Sequence, residues 1–237
     1  MDNRVQEIVD MIMGTHKPVS VFLYGSRARM DFRPDSDHEV GVLHRADSKI
    51  GRAALKEINP HKDIVVYPFE YESLLQGEID TPFPERIYLR SLVTGARTLA
   101  GERIVESLIP PPIRCVDVLQ TLVFETGIAL AAVLADRSGD TKNAQEEFSK
   151  SCLFAARCLA IVEMGAFPAS YDDIVAAVSR IDLGEYSEVV QHAVEVRSGR
   201  ELNPAMLYKN LSFHNQFVKP KVMAVLEERG TEHVLLT

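Results

Sequence analysis

Residues 22–43 read FLYGSRARMDFRPDSDHEVGVL. An apolar run stops at Gly25-Ser26, and a second one opens beside Asp37 and Glu39, two carboxylates that flank His38. In a strand, residues two apart share a face, with about 6–7 Å between their Cα atoms. Asp37 and Glu39 are therefore expected to point the same way at a strand edge, and His38 the opposite way, as a packing or surface residue. Two anions so placed repel unless a cation lies between them, and hard oxygen ligands suit magnesium. Two such ions about 3.5–4 Å apart organise an in-line phosphoryl displacement. That chemistry calls for a third acid from a neighbouring strand, and Asp63, at the head of the next apolar run, is the candidate.

Gly25-Ser26 supplies the complementary half. Glycine lets the backbone turn sharply and approach a ligand, and exposed amides at a helix start, with a serine hydroxyl, hold phosphate. Arg27, Arg29 and Arg33 lie close by in sequence as phosphate partners.

Outward from this stretch the chain has two textures. Val5, Ile8, Val9 and Ile12 fall on one helical face, and 19–25, 38–44 and 62–68 are compact apolar runs that read as strands. Residues 47–58 carry Ile50, Ala54, Leu55 and Ile58 along one stripe, and 84–95 predict a further helix closed by Gly95. This order predicts a small α/β domain with a short mixed sheet over residues 1–110. Pro110, Pro111 and Pro112 mark a boundary, because three prolines fit neither a helix interior nor a central strand. Residues 111–237 predict an antiparallel helical bundle, with helices near 114–136, 141–164, 170–180, 185–198 and 204–228. Pro220 is expected to kink or split the last of these.

GSRAR followed by PDSDHEV resembles the signature of the nucleotidyltransferase superfamily, the DNA polymerase beta-like fold: a Gly-Ser pair after the first strand, then Ser-Asp-x-Asp or Ser-Asp-x-Glu entering the next. The matching positions are Gly25, Ser26, Ser36, Asp37, Glu39 and Asp63. The segment KSCLFAARCLAIVEMGAFPASYDDIVAAV is similar to the second domain of aminoglycoside adenylyltransferases. Most members have Asp at Glu39 and Gly at Met30; Glu at the second acid is known in the family. The resemblance implies a Mg2+-dependent enzyme that uses ATP or another nucleoside triphosphate. Asp37, Glu39 and Asp63 would hold metal, and Gly25, Ser26, Arg27, Arg29 and Ser36 would hold nucleotide. The antibiotic-modifying relatives also imply a general base from the helical part, for which Glu125 is the candidate because it interrupts an apolar helix, with Glu146 and Glu147 as alternatives.

Residues 111–237 hold 17 acidic and 12 basic residues, a balance that suits a cationic small-molecule acceptor such as an aminoglycoside. Transfer to RNA or protein hydroxyls, or an inactive nucleotide-binding member, are the alternatives. A formal charge of −8 argues against strong nucleic-acid binding as the main activity. Cys115, Cys152 and Cys158 lack metal-ligand spacing and read as small buried hydrophobes. No apolar run is expected to reach the roughly 20 residues that span a bilayer. Those features predict a cytoplasmic protein, and the apolar stripes on its C-terminal helices fit either core packing or a homodimer interface.

Overall fold

The computed structural model describes residues 2–33 and 36–237. The apolar stripe of the N-terminal segment folds as helix α1 (Asn3–His16), whose cap Asp2 accepts from the Arg4 backbone N–H at 2.9 Å. There follow β1 (Ser20–Tyr24), a five-residue helix α2 (Gly25–Arg29), β2 (His38–His44), α3 (Arg52–Ile58), β3 (Ile64–Glu70), α4 (Tyr71–Gln76), α5 (Glu85–Gly95) and β4 (Arg97–Gly101). The sheet order is β3-β2-β1-β4, with β1 antiparallel to both neighbours and β2 parallel to β3. The parallel pair is joined through α3, since parallel strands need a crossover.

Alternation along the strands sorts their side chains onto two covered faces. Val21, Leu23, Val40, Val42 and Ile64 pack with the α1 stripe and Leu55 of α3. Phe22, Tyr24, Leu43 and Phe69 pack with Leu74 of α4 and Leu89, Leu92 and Val93 of α5. Each such side chain contributes about 1.5–3 kcal/mol on burial. Gly41 belongs to the second face, where a Cβ would lie 2.2 Å from the Phe22 ring. The strand interior is thus narrowed to let a phenylalanine cross it.

Several elements differ from the sequence expectation. The helix expected over 47–58 starts at Arg52, because Gly51 is its N-cap and residues 46–48 form a single tight turn. The third strand runs two residues later than 62–68, and Pro68 is tolerated because β3 lies at the sheet edge. Helix α4 and strand β4 carry no strong local pattern and were not anticipated.

The chain divides into two compact units, Met1–Pro111 and Pro112–Thr237. The second contains β5 (Ile113–Arg114), α6 (Cys115–Arg137), α7 (Thr141–Met164), α8 (Tyr171–Val178), α9 (Ser187–Arg197), α10 (Pro204–Ser212), α11 (Lys219–Arg229) and β6 (Val234–Leu236), which pairs antiparallel with β5. Pro220 does not split the last helix. Residues Phe213–Val218 widen into a π-helical stretch between α10 and α11, and Pro220 follows in the first turn of α11. A wide turn frees the carbonyl that the proline ring would otherwise strike.

The expectation about apolar length needs correction. Helix α6, 23 residues, is long and apolar enough to cross a bilayer by length and composition. Here it packs along α7 and against α10 and α11. All three cysteines are buried thiols.

Candidate active site

β1 ends at Tyr24, which sits opposite Glu39 in the antiparallel register. The next residue, Gly25, has φ +72°, and a Cβ built there would lie 1.7 Å from Glu39 Oε2. Glycine is thus required twice: for a left-handed backbone that L side chains avoid, and for the room in which the Glu39 carboxylate rests. The Gly-Ser bend and the second acid of the pair are in contact. Asp37 is exposed one residue before β2 begins, so both carboxylates stand at the same end of that strand.

The ground under Glu39 is aromatic. Tyr24, Phe22 and Phe69 pack with ring centroids 5.5–5.8 Å apart. Burial, then the nearby Tyr88 and Glu39, drive the Tyr24 phenol far above its ordinary value. Burial likewise pushes Tyr88 up to about 12. Both phenols stay neutral beside the carboxylate. Sequence reasoning passed over these tyrosines, since nothing local in the chain sets them apart from ordinary core residues.

Asp63 goes elsewhere. Its backbone lies beside the strand pair, with its carbonyl accepting from the His38 N–H at 2.8 Å. Its carboxylate instead takes both contacts from Arg4 Nη1, at 2.8 and 3.1 Å. Asp63 precedes the first residue of β3, so strand alternation does not govern it, and the arginine of α1 captures it. Among the described residues no group of three or more His, Cys, Asp or Glu side chains is close enough to hold a metal ion. The expected convergence of Asp37, Glu39 and Asp63 is therefore corrected to a pair plus an ion-paired third acid. His38 is buried on the α1 side, its Nε2 3.8 Å from the Asp2 carboxylate. Burial, then Arg27, lowers its pKa.

The arginines are structural as placed. Arg27 donates to the Ser36 carbonyl from Nε at 3.1 Å and Nη2 at 2.9 Å, and stacks over Phe32 at 4.2 Å. Arg33 N–H donates to Ser36 Oγ at 2.9 Å. Together these anchor Ser36, the residue before Asp37. Arg29 packs on Gly95 and reaches Asp31 at 3.5 Å, mostly out of solvent. Ser26 stands in the first turn of α2, half-buried. Met30, where the family pattern has glycine, closes α2 at φ +66° with its side chain 73% exposed. The pattern's glycine has a backbone reason: this is a left-handed C-cap.

In the second unit Glu125 is 6% exposed, far from the solvated position expected of a general base. Burial raises its pKa to about 8, with the neighbouring Arg157 pulling the other way and Glu147 adding to the rise. Burial thus favours its protonated form. Glu146 is tied to Lys142 at 3.8 Å and Lys150 at 3.7 Å.

Asp37 and Glu39 are the carboxylates that a divalent cation would use here, with substrate phosphates completing its ligands. No protein-family model matches the sequence, and no curated protein matches it. Among solved structures, the spectinomycin adenyltransferase AAD(9) from Enterococcus faecialis, crystallised with ATP and spectinomycin, matches with a TM-score of 0.59 over 92% of this chain and 97% of that one, at 14% identity. This chain therefore has the fold of a nucleotidyltransferase, a small mixed-sheet unit followed by a helical one.

Proposed function

We propose that this protein transfers AMP from ATP to a hydroxyl of a small-molecule acceptor, with a cationic aminocyclitol or aminoglycoside as the acceptor class. The observation that carries the reading is the contact between the Gly25 bend and the Glu39 carboxylate, which joins a phosphate-holding turn to an acid pair. The shared fold supports it, as do the ATP and spectinomycin bound by AAD(9) and the acidic excess of the helical unit.

In this reading Ser26 and the first amides of α2 hold the triphosphate. Asp37 and Glu39 would hold Mg2+, which would neutralise phosphate charge. Arg27 keeps Asp37 in place by fixing the loop at Ser36. The acceptor oxygen bonds to the α-phosphorus as the bond to the bridging oxygen breaks, pyrophosphate leaves, and the hydroxyl proton passes to solvent water.

A second reading, an inactive nucleotide-binding protein, has one specific observation in its favour: Asp63 is engaged by Arg4. Incubation with α-labelled ATP and Mg2+ against spectinomycin, pooled aminoglycosides, tRNA and cell protein separates the two. Label on a drug, lost in Asp37→Ala, is the expected result. Label on RNA or protein overturns the acceptor, and ATP binding with no pyrophosphate release selects the second reading.

A further inference from the structure

Two polar side chains of the helical unit are buried with part of their hydrogen-bonding capacity unused. Asn210, near the end of α10, is 1% exposed, and His214, in the π-helical stretch that follows, is 0% exposed. Residues four apart along a helix are neighbours, and both of these turn to Ser151 of α7. Asn210 Nδ2 donates to Ser151 Oγ at 3.0 Å. The Ser151 carbonyl lies beside the His214 ring, where it partly offsets the lowering of its pKa by burial. His214 Nδ1 is 3.2 Å from Thr126 Oγ1 of α6. Among the described residues, Asn210 Oδ1 and His214 Nε2 have no hydrogen-bond partner, and both atoms are out of solvent.

The two hydroxyl groups dictate which atoms carry hydrogen. Thr126 gives its one hydrogen to the Leu122 carbonyl at 2.7 Å, so toward His214 its oxygen can only accept, and Nδ1 is the protonated nitrogen. Ser151 gives its hydrogen to the Phe148 carbonyl at 3.2 Å, so its oxygen accepts from Asn210, which fixes the amide with Nδ2 toward Ser151. Burial holds the imidazole neutral, with a single N–H. Nε2 and Oδ1 are then two bare acceptors enclosed side by side, and the Ser151 carbonyl, a third acceptor, can serve neither. Buried acceptors left unmet are costly, and nearly all of them find a donor.

We propose that this junction binds one internal water molecule, which donates one hydrogen to His214 Nε2 and the other to Asn210 Oδ1. Two lone pairs facing one buried space call for a small neutral double donor, and two polar partners are enough to hold a water. The water closes a polar chain that runs from Thr126 of α6 through His214 and Asn210 to Ser151 of α7, so the widened turn is fastened to both long helices. This site belongs to the helical unit alone and is independent of the proposed activity.

Magnetic resonance of the full chain with isotope-labelled histidine tests it. Two-bond nitrogen–proton correlations at neutral pH are expected to show His214 protonated at Nδ1 and bare at Nε2. Its Hδ2 proton, next to Nε2, is expected to show a cross-relaxation peak at the water frequency with the sign of a long-lived bound molecule. Water-oxygen relaxation dispersion is expected to count one long-lived water fewer in Asn210→Leu than in the parent, since leucine keeps the branched shape and removes the acceptor. Protonation at Nε2, a dry Hδ2, or an equal count in the folded variant overturns the site. The two measurements on the parent decide the question should Asn210→Leu fold poorly.

Discussion

Glu39 and Glu125 are both glutamates that interrupt apolar segments, and the two units treat them oppositely. Glu39 lies where β2 begins, on a strand whose side chains alternate, so it turns toward a gap that only a glycine could leave open. Glu125 lies in the middle of α6, a helix apolar on nearly every side, and α7 closes over it. One carboxylate lies against a glycine bend; burial drives the other to hold its proton. The lesson is that an acid in an apolar run becomes a site only where the backbone ends or bends beside it.

The sharpest way to break that contrast is to remove the acid pair. Asp37→Ala is expected to lower nucleotide transfer by about 10³-fold, the scale of losing one preorganised electrostatic group, with an unchanged thermal melt; steady-state pyrophosphate release checks it. Gly25→Ala should come next. Its methyl needs the space of Glu39 Oε2, and the left-handed backbone costs roughly 1–2 kcal/mol. Nucleotide transfer is expected to fall by about 10²-fold, the scale of losing an electrostatic donor, out of proportion to the modest drop in melting temperature.

The buried side of the comparison is sharpened by pH. Glu125 rises from 4.5 to about 8 on folding, so its contribution is complete below pH 4.5 and is lost as pH climbs toward 8. His214 is buried in the π-helical stretch, with Nδ1 3.2 Å from Thr126 Oγ1, and burial lowers it from 6.5 to about 4. Its contribution is complete above pH 6.5 and is lost as pH falls toward 4. The two slopes oppose each other between pH 4.5 and 6.5, and Glu125 alone acts between 6.5 and 8. Denaturant melts of the parent should lose about 1 kcal/mol per pH unit between pH 6.5 and 8. Glu125→Gln should abolish the upper loss and leave a rise through the lower window.

The smallest effect expected is at Met30. Met30→Gly relieves the left-handed φ of a highly exposed side chain and should raise stability by up to about 1 kcal/mol, read as a shift in the urea midpoint. No gain would mean that Met30 packs on something its exposure does not suggest.

Much of the architecture was legible along the chain. The stripe of α1, the three apolar strands, the proline boundary and the long helices follow from periodicity and from breakers, which are local. The closeness of Gly25 to Glu39 was legible for the same reason: a bend and an alternating strand fix their geometry locally. What sequence alone did not yield were β4 and α4, whose patterns are weak until a sheet edge and an apolar face receive them.

The fate of single charges belonged to the tertiary structure. Asp63 was assigned to the acid pair because its strand was, but its carboxylate is decided by Arg4, 59 residues away. Glu125 was the candidate base because it interrupts an apolar helix, but packing against α7 decides that it is enclosed. Periodicity fixes which face a residue takes within its own element, since that depends on backbone geometry alone. It says nothing about which side chain from another element reaches it first, because that is set by how the elements pack.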